Sequence, residues 1–190
     1  SQYYIEDVRK NIIDQLTYEK VYKQGYNINT PINLELHRIA TQSLRNGLIA
    51  FDRRKGWRGP LKNIQYSKNW LDKIEKDFKL EKSIGWQIAI VKKVNQFDAK
   101  IETEKNLNGI IDYKDISWTK KDFKNLIKEG DIIYVKKLNK NFFSLEQIPK
   151  INGGAVVMDP FTGRVLALSG GFSFKNSEFN RASQALRQPG

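Results

Sequence analysis

The chain has 190 residues, of which 39% are hydrophobic and 12% aromatic, enough apolar surface to bury a core and to exclude intrinsic disorder. It has no cysteine, which excludes disulfides, thiolate catalysis and iron–sulfur chemistry, and every apolar run is too short to span a membrane. The formal net charge of +12 predicts affinity for an anionic partner, whether nucleic acid, acidic lipid headgroups or an anionic polymer.

Residues 1–82 form the first predicted region, a mainly helical linker. Apolar residues recur every three or four positions over 3–21 and again over 34–51, which is the period of amphipathic helices. Between these helices, residues 26–30 alternate polar and apolar side chains just before a proline. This alternation predicts a short strand.

The second predicted helix ends in a run of cations, where basic side chains are favourable because they face the negative end of the helix dipole. These cations form a basic patch, which comprises Arg53, Arg54, Lys55 and Arg58. After a Gly-Pro break, residues 70–78 predict a third, shorter helix.

Residues 83–150 form the second predicted region, in which β-branched and aromatic residues dominate. A polar helical insert is predicted at 119–128, between the third and fourth of five short strands. This arrangement is typical of an OB-like Greek-key β-barrel. The predicted strands are 86–94, 97–102, 107–112, 131–137 and 141–147.

Residues 151–190 open a third region with two apolar strands around a turn. Pro160 fixes one turn residue and Gly163 supplies a permissive backbone, which predicts a β-hairpin. The residues after it are too few to bury a hairpin, so we expect the domain to continue beyond this chain or to be completed by a partner. We also expect the 26–30 strand to pair with the hairpin, and exposed strand edges to favour self-association. The predicted fold class is therefore α+β.

Three stretches of the sequence carry a family resemblance. They are GAVVMDPFTGRVLALSGG at 154–171, FNRASQALRQPG at 179–190 and DRRKGWRGP at 52–60. The first two resemble the start of the transpeptidase domain of class A penicillin-binding proteins. The third, with the helix before it, resembles that family's linker between its glycosyltransferase and transpeptidase domains. The resemblance therefore covers linker, OB-like domain and the truncated N-terminal hairpin of a transpeptidase domain.

The resemblance implies that the parent protein is a bifunctional peptidoglycan synthase. Such an enzyme polymerises glycan strands from a lipid-linked precursor and crosslinks stem peptides through an acyl-serine intermediate, which β-lactams trap. It would be anchored in the bacterial cytoplasmic (inner) membrane, with this region on the periplasmic side. The family motif that directly precedes the nucleophile, in a Ser-x-x-Lys element, corresponds here to Arg187, Gln188, Pro189 and Gly190. The serine is therefore expected just after Gly190, and this chain is expected to be catalytically inert.

Two short matches to catalytic patterns do not change this expectation. Ser117 and Lys120 satisfy Ser-x-x-Lys, and Ser67 and Asn69 satisfy Ser-x-Asn. No Lys-Ser/Thr-Gly element accompanies them in the sequence. Both matches are therefore interpreted as chance.

Metal and acid–base chemistry are equally poorly supported. The only histidine, His37, has no second ligand at helical spacing. The carboxylates of Asp72, Glu75 and Asp77 alternate with lysines, which is typical of a solvated, ion-paired helix face. We predict no catalytic residue, metal ligand or cofactor-binding residue in this chain.

An OB-fold module that binds single-stranded nucleic acid is the alternative function, because such sheets stack bases on exposed aromatic rings. The same aromatic residues could instead pack inside the barrel, and the excess positive charge is spread along the chain and not concentrated beside them. We therefore favour a packing role for these aromatic residues over nucleic-acid binding. The residues in question are Trp86, Phe97, Tyr113, Phe142 and Phe143 with Lys92, Lys93, Lys136 and Lys137.

A protein-interaction module is the third function class, and it is compatible with the family resemblance. The barrel would then position two catalytic domains or dock a regulatory cell-wall protein. Peptidoglycan precursor, stem peptides and β-lactams would engage the parent protein only.

Overall fold

The computed structural model describes residues 2–74, 78 and 80–186. These residues form two compact units. The helical unit contains the chain up to Leu48 and again from Pro149 onward, and the barrel unit contains Ile49–Ile148. The sequence-based boundary between residues 82 and 83 lies inside the barrel unit, and the boundary at 150 lies close to its end.

Helices α1 (Gln2–Leu16), α2 (Tyr18–Gln24) and α3 (Leu34–Arg53) account for about half of the first region. The helix predicted over 3–21 is divided because Thr17 adopts a positive φ of 72°, a conformation that costs a β-branched residue free energy and interrupts the helical ladder. Asn33 precedes α3, and its side-chain oxygen accepts a hydrogen bond from the backbone N–H of Leu36 at 3.0 Å. Asn33 therefore satisfies one free amide at the start of the helix.

A two-stranded antiparallel hairpin completes the helical unit. Strands β7 (Ala155–Met158) and β8 (Val165–Ser169) pair through a turn at residues 159–164. Helix α1 covers it with two buried tyrosines. The Tyr3 hydroxyl donates to the backbone carbonyls of Ser173 and Ser177, and the Tyr4 hydroxyl donates to that of Val165.

The strand predicted at 26–30 is wrong, because residues 25–33 have no regular secondary structure. Its predicted pairing reduces to one backbone hydrogen bond, in which the N–H of Asn33 donates to the carbonyl of Leu166 at 2.8 Å. Pro31 has no N–H to contribute to a ladder, and Asn33 is already committed to the start of α3. Local alternation of polar and apolar residues was therefore insufficient to form a strand.

The barrel unit confirms the predicted OB-like topology. The five barrel strands are β2 (Trp86–Val94), β3 (Asp98–Thr103), β4 (Asn108–Asp112), β5 (Asp131–Asn139) and β6 (Phe142–Glu146). Strand β2 pairs antiparallel with β3 and β5, β3 pairs antiparallel with β4, β4 pairs parallel with β6, and β5 pairs antiparallel with β6 to close the barrel. A two-residue strand β1 (Lys62–Asn63) also pairs with β5. The α+β fold class is thereby confirmed.

Alternate strand residues fill the barrel, as a period of two requires. Buried side chains from all five strands meet inside it, and the short helix α4 (Phe123–Leu126) adds Phe123 and Leu126. Helix α4 is shorter than the predicted insert and follows a 3-10 turn at Tyr113–Thr119. The third predicted linker helix is a 3-10 turn, Trp70–Lys73, within the described residues. The five predicted strands thus supply most of the buried barrel core, and the 3-10 turn and the α4 segment supply the rest.

Candidate functional site

Asp52, at the end of α3, is the centre of a buried polar cluster in the barrel unit. Its carboxylate is 2% exposed and accepts two hydrogen bonds from Arg58 Nη1, at 2.9 and 2.8 Å. Gln147, just after β6, donates its Nε2 to Asp52 at 2.9 Å and to the carbonyl of Gly56 at 3.0 Å. The Gln147 side-chain oxygen accepts from the backbone N–H of Arg58. The cluster ties the helix end to the last barrel strand.

A second ion pair reinforces this attachment. Arg53 Nη2 lies 2.8 Å from the carboxylate of Glu146 on β6, whose side chain is 5% exposed. Ser144 donates its hydroxyl to the other oxygen of Glu146 at 2.9 Å. The Arg53 guanidinium also lies 5.1 Å from the ring centroid of Trp118, a distance at which a cation is attracted to the ring face.

The predicted basic patch is therefore divided between structural and exposed cations. Arg53 and Arg58 are bound to Glu146 and Asp52. Arg54 and Lys55 are exposed and lie over the Phe51 ring at 4.8 and 5.9 Å. Half of the patch is thus committed to internal contacts that an anionic ligand would have to break.

Glu102 is the centre of a second cluster, on the outer face of β2 and β3. It accepts hydrogen bonds from Trp70 Nε1 at 3.0 Å, from the Tyr66 hydroxyl at 2.9 Å and from Lys92 Nζ at 3.0 Å. Lys92 lies 4.9 Å from the Tyr66 ring centroid. Burial raises the pKa of Glu102, but these three hydrogen bonds outweigh it, and the pKa lies below its ordinary value. The cluster fixes the segment before the barrel onto its outside.

Acid should weaken this cluster. Because the pKa of Glu102 is lower in the folded chain, its carboxylate stabilises the fold above its unfolded pKa of about 4.3. That contribution is lost as the pH falls from there through the lowered folded value. We expect the wild-type chain to exceed Glu102→Gln in free energy of unfolding at neutral pH, with the difference shrinking on acidification. Denaturant titrations at a series of pH values measure this, and a difference that stays constant into acid would contradict it.

The outer face of the barrel also carries a row of side chains that crosses four strands. Lys93 on β2 lies opposite Lys100 on β3, Lys100 lies opposite Ile110 on β4, and Ile110 lies opposite Phe142 on β6. Neighbouring Phe143 is 1% exposed inside the barrel, so Phe142, 38% exposed, lies on the other face by strand alternation. A cleft of about 430 Å³ lies against this row, and Asn108 and Asn141 line it with the lysines.

The aromatic residues proposed for nucleic-acid stacking do not share one surface. Phe143 and Trp86 are buried at 1% and 8% exposure. Phe97 lies in the β2–β3 turn, and the Tyr113 hydroxyl donates to Asp122 at 3.1 Å. Phe142 alone of the five occupies the strand row. Of the associated lysines, Lys92 is bound to Glu102, whereas Lys136 and Lys137 are exposed on β5.

The catalytic pattern matches also lack catalytic geometry. Ser117 donates its hydroxyl to the carbonyl of Lys114 at 2.8 Å within a 3-10 turn. Lys120 has a positive φ of 55° and an exposed side chain. The Ser67 hydroxyl is buried and has no partner among the described residues. A nucleophile needs a base within hydrogen-bond reach, and among the described residues neither serine hydroxyl is hydrogen-bonded to one.

The remaining titratable candidates are His37, Asp72, Glu75 and Asp77. Burial lowers the pKa of His37, and its Nδ1 is buried without a partner in the described chain. Asp72 is exposed, whereas Glu75 and Asp77 lie outside the described residues. In the portion of the chain that the structure describes, no group of three His, Asp or Glu side chains could hold a metal ion. None of its helices is long and apolar enough to cross a membrane.

The Glu102 cluster is the feature that sequence reasoning missed. Its partners Trp70 and Tyr66 lie 32 and 36 residues away along the chain, so no local pattern joins them. The predicted family motif at Arg187, Gln188, Pro189 and Gly190 lies outside the described residues. The DRRKGWRGP stretch was the one available signal for the Asp52 cluster, since it places Asp52 and Arg58 six residues apart.

Comparisons with known proteins agree with this architecture. The family model described as the penicillin-binding protein OB-like domain matches residues 57–151. Penicillin-binding protein 1A of Rickettsia prowazekii is 38% identical over 100% of this chain and 24% of that protein. The protein of the same name from Escherichia coli strain K12 is 30% identical over 99% of this chain and 24% of its own length.

A solved structure gives the same result at the level of the fold. The crystal structure of penicillin-binding protein 1A from Haemophilus influenzae superposes with a TM-score of 0.80 at 26% identity. The superposed region covers 97% of this chain and 28% of the Haemophilus influenzae chain. This chain spans about a quarter of the length of the curated relatives it matches.

Proposed function

Since the chain belongs to the class A penicillin-binding proteins, we propose that it forms a noncatalytic scaffold region of a bifunctional peptidoglycan synthase. The parent would polymerise glycan strands from a lipid-linked precursor and crosslink stem peptides through an acyl-serine intermediate. β-Lactams would bind the parent at that serine. Relatives named penicillin-binding protein 1A support this assignment.

The catalytic serine of the parent is proposed to follow Gly190 directly. The family motif assigned to Arg187, Gln188, Pro189 and Gly190 would then place the nucleophile at the start of its helix. The parent would be anchored in the bacterial inner membrane and expose this region to the periplasm. Residues 1–82 would serve as linker, 83–150 as OB-like domain and 151–190 as the beginning of the transpeptidase domain.

The attachment of the barrel to the end of α3 is the observation that carries the scaffold proposal. Asp52, Arg58 and Gln147 form a closed set of hydrogen bonds, and Arg53 and Glu146 form a second contact. These polar side chains stabilise the position of the α3 end against β6. A buried, hydrogen-bonded network of this kind favours one arrangement of the two elements. The barrel would use that fixed arrangement to position the two catalytic regions or to dock a regulatory cell-wall protein.

Deletion of residues 84–148 from the parent, with a short flexible linker in their place, tests this role. We expect the deleted parent to retain penicillin acylation and glycan polymerisation, because the chemistry lies elsewhere. The extent of crosslinking per polymerised strand, or its response to regulatory proteins, should change. Unaltered crosslinking and unaltered partner binding would contradict the scaffold role.

A further inference from the structure

Lys93 and Lys100 form an unusual pair on the barrel surface. The register places them directly opposite each other on β2 and β3, and like charges in that position destabilise a sheet. Within the described residues, neither lysine forms an ion pair. The nearby Glu102 is occupied by Lys92, Tyr66 and Trp70, and Asp98 accepts from Asn95 at 2.8 Å. The two ammonium groups are therefore available to one anionic group of a ligand.

The cleft beside this pair offers two further kinds of contact. Asn108 and Asn141 line it with amide groups, and Ile110 lines it with an apolar surface. Phe142 extends the same row with an exposed aromatic ring. The volume of about 430 Å³ falls within the range of small-ligand sites. Cations, amides and an apolar surface thus adjoin one another on one face.

We propose that this face, formed by β2, β3, β4 and the start of β6, binds an acidic glycan. Lys93 and Lys100 would bind a carboxylate of the glycan, Asn108 and Asn141 its hydroxyl or acetamido groups, and Ile110 and Phe142 the apolar face of a sugar ring. The choice of a glycan strand of the cell wall as the source rests on the proposed function. The muramic acid carboxylates of such a strand are free only where stem peptides have been removed, so the barrel would hold a peptide-free stretch of strand beside the catalytic regions of the parent.

Single-stranded nucleic acid fits this surface less well. Binding to successive nucleotides uses a track of cations and successive exposed aromatic rings. Here the unpaired lysines lie at one end of the row and Phe142 is its single aromatic residue. A ligand with one carboxylate beside sugar rings matches this placement of the charged and apolar side chains. A ligand with a phosphate at every nucleotide does not match it.

Titration of the 190-residue chain, labelled with ¹⁵N, tests the proposal by NMR. The probes are a muramic-acid-containing tetrasaccharide with free carboxylates, a chitotetraose that lacks them, and a short oligothymidylate. We expect the acidic tetrasaccharide to shift the amide signals of Lys93, Lys100, Asn108 and Asn141. Chitotetraose should bind more weakly at the same residues, and added salt should weaken the acidic probe.

A charge-matched pair of variants separates the cleft from the general basicity of the chain. Lys93→Gln with Lys100→Gln should weaken the acidic tetrasaccharide by about tenfold or more, as expected for lost charge-assisted hydrogen bonds. Lys121→Gln with Lys124→Gln removes the same charge from exposed positions elsewhere on the barrel and should leave affinity nearly unchanged. The dispersion of each spectrum reports whether the variant is folded.

Three results would overturn the proposal. The acidic tetrasaccharide could leave the signals of the face unchanged in the wild-type chain, a result that does not depend on any variant. Both double variants could weaken binding equally, which would indicate nonspecific charge attraction. Oligothymidylate could bind the face more tightly than the glycan, which would favour nucleic acid. The scaffold proposal is tested separately, by penicillin acylation of the parent and by its response to barrel deletion. It can therefore hold even if the glycan proposal fails.

Discussion

Replacing Trp70 with alanine is expected to lower the free energy of unfolding of the barrel unit by about 3–5 kcal/mol, the range measured for large buried aromatics. Trp70 has no exposed surface, and its Nε1 donates to Glu102 at 3.0 Å. The substitution leaves a cavity and removes one of the donors that keep the Glu102 carboxylate ionised. Denaturant-induced unfolding followed by circular dichroism measures the loss.

Trp70→Phe is the matched control, because it keeps most of the buried ring and removes the indole N–H. Its loss should be clearly smaller, since the cavity is smaller. Its remaining cost reports the smaller cavity together with the lost hydrogen bond to Glu102. A Trp70→Ala variant as stable as the wild-type chain would show that the segment around Trp70 does not pack on the barrel as described.

Replacing Asp52 with alanine is the second large effect, with an expected loss of about 3 kcal/mol as for breaking one side of a buried ion pair. The change leaves Arg58 without its carboxylate and removes the acceptor of Gln147 Nε2. Asp52 is 2% exposed, so water cannot readily replace the lost oxygens. Thermal and denaturant unfolding of the purified chain measure the change.

The exposed carboxylate of Asp72 provides the control for this substitution. Asp72→Ala removes the same charge and should change stability by less than about 0.5 kcal/mol, as is usual for surface positions. Equal effects at both positions would mean that net charge, and not the Asp52 cluster, determines the loss. Equal and negligible effects would contradict the role assigned to the cluster in attaching the barrel.

The sequence predicted the barrel well because the relevant signal is local. Alternating buried residues on each strand, such as Ala99 and Ile101 on β3, appear in the sequence as a period of two. The short helix between the third and fourth strands gave the topology without information on long-range pairing. The paired strands then differed from the predicted bounds by only a few residues.

Features that depend on distant partners could not be predicted in this way. The 26–30 segment has strand-like alternation, but neither Pro31 nor the helix-starting Asn33 can sustain a ladder. Likewise, the charges of Arg53 and Arg58 were visible as a basic patch, whereas their partners Glu146 and Asp52 were not assigned. Ion pairing is decided by the fold, so composition overestimated the cations available to a ligand.

Penicillin acylation, measured by intact mass, tests most directly whether this chain is a noncatalytic region of a penicillin-binding protein. We expect no adduct on the 190-residue chain. We expect one adduct on the parent protein, at a serine directly after Gly190, and this adduct should persist when Ser117 is replaced by alanine. An adduct on the 190-residue chain, or its loss from the parent on replacing Ser117, would contradict this noncatalytic role in a penicillin-binding protein. So would a parent that takes up no penicillin at all.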